Sequence, residues 1–254
     1  MQWRSKRKLT YTTLALLPLV IVAGVIYAAT FFPEPTCFDG EQNGTEAGVD
    51  CGGACQAVCQ AQTPAVDIVW DRAFRVSGDV YSVAAYIENP NTNLIARDVP
   101  YIFRLYDEDN IFITERRGEI NLLPQPTTLA FVGGIDTNGR LPARVVFSLA
   151  EDPFWQQADF SDVRFTVSHR ALTLSPRPRL SLNITNTNTG VFDQIRLAAI
   201  IFNQAGEAVH VSRTVLGRLG VGESTPVIFT WREPFVEADS YRSEIIPVNY
   251  APAE

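Results

Sequence analysis

The chain has 254 residues, 46% hydrophobic and 19% charged, with 16 Gly and 16 Pro, which suits one large or two small folded domains and excludes a disordered tail. A net charge of −7 argues against a nucleic-acid-binding surface. Two His and four Cys leave little material for metal or imidazole chemistry.

Charge is distributed unevenly from the start. Residues 1–10 carry Arg4, Lys6, Arg7 and Lys8 and no acid, and residues 11–32 carry no charge at all. Since 4 of the 21 basic residues and none of the 28 acids lie there, the rest of the chain has a net charge of −11. At about 1.5 Å per residue, an uncharged run from 11 to 32 is long enough for a hydrocarbon core of about 30 Å. A basic flank on one side orients it with the N-terminus in the cytoplasm and the bulk outside. The sequence therefore predicts a cytoplasmic tail (1–10) and one transmembrane helix (11–32). A cleaved signal peptide is the competing reading, but its apolar region runs about 7–15 residues and ends in a small-residue site, for which Ala28-Ala29-Thr30 is the one choice. Lys6 and Lys8 are the chain's only lysines, so the exported part relies on Arg.

Residues 33–63 read as a Pro- and Cys-rich stalk. Pro33-Glu34-Pro35 makes a stiff, non-helical spacer. The stretch 37–59 then holds Cys37, Cys51, Cys55 and Cys59 together with Gly40, Gly44, Gly48, Gly52 and Gly53. So short a segment cannot bury a core, and outside the cytoplasm two disulfides are the expected clamp, in any of three pairings. A zinc site is disfavoured because the paired Cys-x-x-Cys spacing is absent. Asp39, Asn43, Glu46 and Asp50 supply oxygen side chains on a Gly-permitted loop, the donor set that calcium takes; turn formation accounts for the same residues. Calcium is the one cofactor this pattern admits. The segment resembles a Cys-x-Asp-Gly … Asp-Cys-Gly-Gly-x-Cys-x-x-x-Cys element of secreted and surface-anchored proteins, which implies a structural spacer.

The remainder repeats at an offset of about 97 residues. Asn89, Asn91 and Thr92 answer to Asn186, Asn188 and Thr189; Phe103 and Leu105 to Ile200 and Phe202; Arg116 to Arg213; Leu122 to Leu219; and Phe131 to Phe229. Short segments of period-two alternation, such as Tyr101, Phe103 and Leu105 against Ile102, Arg104 and Tyr106, read as strands separated by turns at Asp107–Asn110, Asp136–Gly139 and Asn203–Gly206. The expected fold is mainly β: two tandem immunoglobulin-like β-sandwiches, residues 64–150 and 151–254, following the transmembrane helix and the small disulfide-clamped loop module.

Phe103-Arg104-Leu105-Tyr106-Asp107, after Glu88-Asn89-Pro90-Asn91, resembles the FxLYD family of extracellular Ig-like domains and is similar to the late-embryogenesis-abundant type 2 (WHy) domain. Both resemblances imply a β-sandwich, often held by one N-terminal helix. The second copy departs from the pattern at Thr187 and at Ile200–Gln204. Phe103 and Leu105 are expected in the core, and Asp107 at the start of a hairpin.

No enzyme is expected. His169 and His210 have neither a GxSxG nor an HExxH context, and Gly217–Gly222 lacks the Lys and following helix of a phosphate loop. The predicted role is a single-pass, membrane-anchored cell-surface protein whose Ig-like domains bind another envelope or surface protein, without nucleic acid. A carbohydrate- or calcium-binding module is the first alternative. It points to Phe154, Trp155 and Phe160 as an exposed aromatic cluster, residues that would otherwise glue the two sandwiches together. A WHy-like stress-protective protein is the second.

Overall fold

The computed structural model describes residues 11, 14, 16–24, 26–27, 36–158, 163–235 and 241–252, and the chain divides into two compact units, 1–55 and 56–254. In the first unit, Leu16–Gly24 are helical and exposed. Among the described residues no helix is long and apolar enough to cross a membrane. The expected basic tail (1–10) and the rest of the expected anchor, including residues 28–32, lie outside the described residues.

The second unit is built of strands, all paired antiparallel. In its first half, β1 (Asp67–Ser77), β2 (Val80–Glu88) and β5 (Thr127–Asp136) form one sheet in the order β1-β2-β5. Beside it, β4 (Phe112–Leu122), β3 (Leu94–Tyr106) and β6 (Arg144–Leu149) form another in the order β4-β3-β6, which β7 (Gln156–Gln157) extends along β3. The second half repeats the pattern. One sheet is β12 (Ser224–Thr230), β9 (Arg179–Asn186) and β8 (Phe165–Thr173); the other is β11 (Ala208–Leu216), β10 (Phe192–Phe202) and β13 (Arg242–Pro252).

Alternation places one core inside each half. Val83, Ala85 and Ile87 of β2 meet Tyr101, Phe103 and Leu105 of β3, and all six are buried. Leu180, Leu182 and Ile184 of β9 likewise meet Leu197, Ala199 and Ile201 of β10. Each half also carries the same turn device. Asn89 accepts from the Asn91 amide at 2.9 Å and donates to the Leu123 carbonyl at 2.9 Å. Asn186 accepts from the Asn188 amide at 3.0 Å and donates to the Leu219 carbonyl at 3.1 Å. Buried asparagines matched in this way satisfy backbone groups that a tight turn would otherwise strand.

Beyond the asparagines, the correspondence between halves slips by one residue. Asp98 in β3 and Gln194 in β10 both take a left-handed conformation, φ 51°, at a bulge. Counted from those bulges, Phe103 matches Ala199 and Leu105 matches Ile201, in place of the expected Ile200 and Phe202. One residue of slip in a strand turns every side chain to the opposite face. Ile200 and Phe202 accordingly point away from the second core, and Phe131 points away from the first while Phe229 is buried in the second.

Those outward residues form a third core. Phe74, Ala84 and Leu129 from the β1-β2-β5 sheet pack against Ala198, Ile200 and Phe202 of β10 and Ile246 and Val248 of β13. Polar bonds frame this seam: the Tyr86 hydroxyl donates to Glu244 at 2.9 Å and the Gln125 amide to the Pro247 carbonyl at 2.9 Å. The outermost faces carry polar side chains along β3, β4 and β9. Arg104 and Arg117 both pair with Glu115 on the outer side of β3 and β4, at 2.9 and 2.8 Å, and Ser181, Asn183 and Thr185 line the outer side of β9. Stacking therefore stops at four layers, because a polar outer face gains nothing from burial.

Candidate functional site

The cysteine module is oxidised throughout: Cys37 bonds Cys55 across 18 residues, and Cys51 and Cys59 are also disulfide-bonded. Its expected calcium donors are engaged locally. Asp50 accepts from the backbone amides of Asp39 and Gly40 at 3.0–3.1 Å. Asp39 accepts from the Asn43 side chain at 2.9 Å, Glu41 at 3.0 Å and Thr36 at 3.1 Å, and these bonds, the Asn43 amide first, lower its pKa. Glu46 accepts from the Asn43 and Asp50 amides, both at 3.3 Å. Carboxylates turned onto backbone N–H groups cap turns and leave few lone pairs for an ion. Glu46 also lies near Cys37 and Cys55, but sulfurs joined in a disulfide offer no thiolate. Gly53 is required here: its φ is +60° and a Cβ would collide with the Thr45 carbonyl.

The expected aromatic cluster does not assemble among the described residues. Trp155 is 3% exposed and sits in the first core, its carbonyl accepting from the Val58 amide at 2.9 Å. It packs within the first half, not across the seam. Phe154 is exposed, and Phe160 lies outside the described residues.

Two other places carry features that point outward. The first is the end of the first half remote from residue 67, where the β3–β4 turn and the β5–β6 loop lie side by side. Asp107 accepts from the amides of Asp109 at 3.1 Å and Ile111 at 2.8 Å, fixing the turn. Arg140, from the neighbouring loop, donates to the Phe112 carbonyl at 3.3 Å and stands 3.9 Å from the Asp107 carboxylate. Arg144 lies 4.3 Å over the Tyr106 ring and donates to Asn110. This polar frame holds three apolar side chains out in solvent: Ile111 at 51%, Phe112 at 50% and Leu141 at 61% exposed. The alternation of β3 gave the turn its place, but nothing in the sequence showed that residue 141 would come beside it.

The second is a cleft of about 510 Å³ at the rim of the seam, walled by both halves. Phe74 and Val211, buried residues of the seam, form its floor, and Trp231 stands at its side with its indole N–H donating to the Val211 carbonyl at 3.2 Å. Arg75, Arg213 and Arg232 are among the residues that line it, together with Glu233. Arg213 lies 5.0 Å over the Phe131 ring, and the surrounding protein, followed by nearby Arg196, lowers its pKa. His210 also lines the cleft. Its ring stacks on Phe235 with centroids 3.8 Å apart, and burial lowers its pKa to about 4, so it is neutral at physiological pH. Among the described residues it makes no bond to a nucleophile or carboxylate. His169 is exposed on β8, its Nδ1 3.2 Å from the adjacent Ser168 hydroxyl.

No family model matches the sequence, and no curated protein matches it. Among solved structures the chain is similar to two variants of the exo-chitosanase of Amycolatopsis orientalis in complex with PNP-beta-D-glucosamine. Identity is 12% and 14%, the aligned part covers 67% and 70% of this chain, and the TM-score is 0.26 for each. The chain spans about a quarter of the length of those enzymes, 25% and 26%.

Proposed function

We propose that this is a single-pass, membrane-anchored surface protein that presents two tandem Ig-like sandwiches and binds another envelope or surface protein through the end of the first half remote from residue 67. The observation that carries the reading is the trio Ile111, Phe112 and Leu141, each at least half exposed at two neighbouring chain reversals that Arg140 ties together. Large apolar side chains held rigidly in water cost stability, and an aromatic residue among arginines is the usual composition of a protein-binding hot spot. The basic flank at residues 4–8 and the uncharged run 11–32 support the anchor. The recurring three-stranded sheets and matched Asn turns support the Ig-like assignment. The motif residues that resemble the FxLYD family serve the scaffold in this reading: Phe103 and Leu105 are fully buried and Asp107 caps the turn.

A photo-reactive amino acid placed at Phe112 or Leu141 of the full chain, in its native membrane, tests this. A discrete heterologous adduct from these two sites, lost on Ile111→Asp and absent when the probe sits at Thr166 on the polar outer face, is expected. Equal labelling from Thr166, or none from the tip, would overturn the assignment.

A further inference from the structure

The seam cleft is independent of the tip and has its own chemistry. Arg75 uses its Nε–H on the Gly78 carbonyl at 2.9 Å, which leaves its terminal N–H groups available. Arg213 and Arg232 make neither a hydrogen bond nor an ion pair among the described residues. Elsewhere Arg104, Arg117, Arg140 and Arg242 each stand within 4 Å of a carboxylate. A guanidinium group without a carboxylate partner can take an anion from solution. With His210 neutral and Glu233 the acid among the described lining residues, that part of the lining holds three Arg against one Glu. Arg213 is moreover pre-oriented. Its guanidinium lies 5.0 Å over the Phe131 ring, which orients a planar group able to pair with a two-toothed acceptor. Below it the floor is apolar, Phe74 and Val211, with the Trp231 side chain beside them. A cavity of this volume, mostly apolar with a few convergent polar groups, suits a small molecule and not a protein surface.

We propose that the seam cleft binds a small organic carboxylate with a flat ring-bearing body. Arg213 takes the carboxylate, Arg75 and Arg232 add attraction at the mouth, and the ring lies on Phe74 and Val211 beside Trp231. Both halves contribute walls, so the site exists only when the seam is closed.

Calorimetric titration of the full chain with benzoate, glucuronate and uncharged benzamide tests the site, with intrinsic tryptophan fluorescence as a second readout. Benzoate and glucuronate separate an aromatic from a sugar source of the same carboxylate. Saturable binding of one of them at about 1 mM or tighter is expected. Benzamide should not bind, and the bound ring should change Trp231 emission. Arg213→Gln should weaken binding at least about tenfold, the loss of one charge-assisted pair. Arg177→Gln, with the same charge change on an exposed turn, should leave it intact, and Arg213→Lys should fall between. Unchanged melting temperatures confirm that each variant folds. Benzamide titrating like benzoate, equal effects of the Arg213 and Arg177 variants, or no saturation by either carboxylate at roughly 20 mM, far weaker than a designed site would bind, would each overturn the proposal.

Discussion

Ile200 and Ile201 are neighbours in β10, both fully buried, yet they face different cores: Ile200 the seam, Ile201 the interior of the second half. If the seam is packed like an interior, truncating either to Ala should cost nearly the same. Removing three carbons forfeits about 2.4 kcal/mol of transfer free energy at about 0.8 kcal/mol each. The cavity left behind brings the loss to about 3 kcal/mol. In a protein of this size that is a fall in Tm of about 6–12 °C. Ile228, 45% exposed on β12, is the surface control and should lose under about 0.5 kcal/mol as Ala. Guanidinium denaturation of the full chain followed by far-UV circular dichroism measures all three. The two halves should also unfold in one transition, because opening the seam alone would expose Phe74, Ile200 and Phe202 together. A cost below about 1 kcal/mol for Ile200→Ala beside about 3 kcal/mol for Ile201→Ala, or two separated transitions, would refute the claim that the seam is a core.

Three further outcomes follow from particular groups. His210 has a pKa near 4 in the folded chain against 6.5 when unfolded, so between those values the unfolded state binds a proton that the folded state refuses, and stability falls as pH drops from 7 to 4. His210→Gln should flatten that slope by about 2–3 kcal/mol, measured as the difference between the two proteins' denaturation free energies at pH 7 and pH 4. Tyr86→Phe removes the bond to Glu244 across the seam and should cost about 1 kcal/mol. By ultraviolet titration it should also delete one phenol titrating at about 12, a value raised first by burial and then by Glu244. Iodoacetamide should label no cysteine of the native chain and, after reduction, all four. Loss of the Cys37–Cys55 closure should open residues 37–55 to protease, since a loop of that length contributes about 3 kcal/mol.

The sequence by itself determined what depends on nearest neighbours along the chain. Alternation at Tyr101, Phe103 and Leu105 and again at Leu180, Leu182 and Ile184 set the inward faces, because side chains of a strand point alternately to its two sides. The paired asparagines marked the turns, and the crowded cysteines foretold an oxidised module. Even the seam left a trace, in runs such as Val83-Ala84-Ala85 and Leu197–Phe202 that do not alternate and so must be covered on both faces. What covers them was not legible, and a single-residue slip beyond the paired asparagines was enough to match Phe103 with Ile200, which faces the seam, in place of Ala199. Only the tertiary structure decided that Trp155 fills a core, that Arg140 reaches the Phe112 carbonyl, and that Arg75 and Arg213, more than a hundred positions apart, border one cleft. These are contacts between sheets. No local periodicity encodes them, because the energy that selects them is the burial of faces whose partners are distant in the chain.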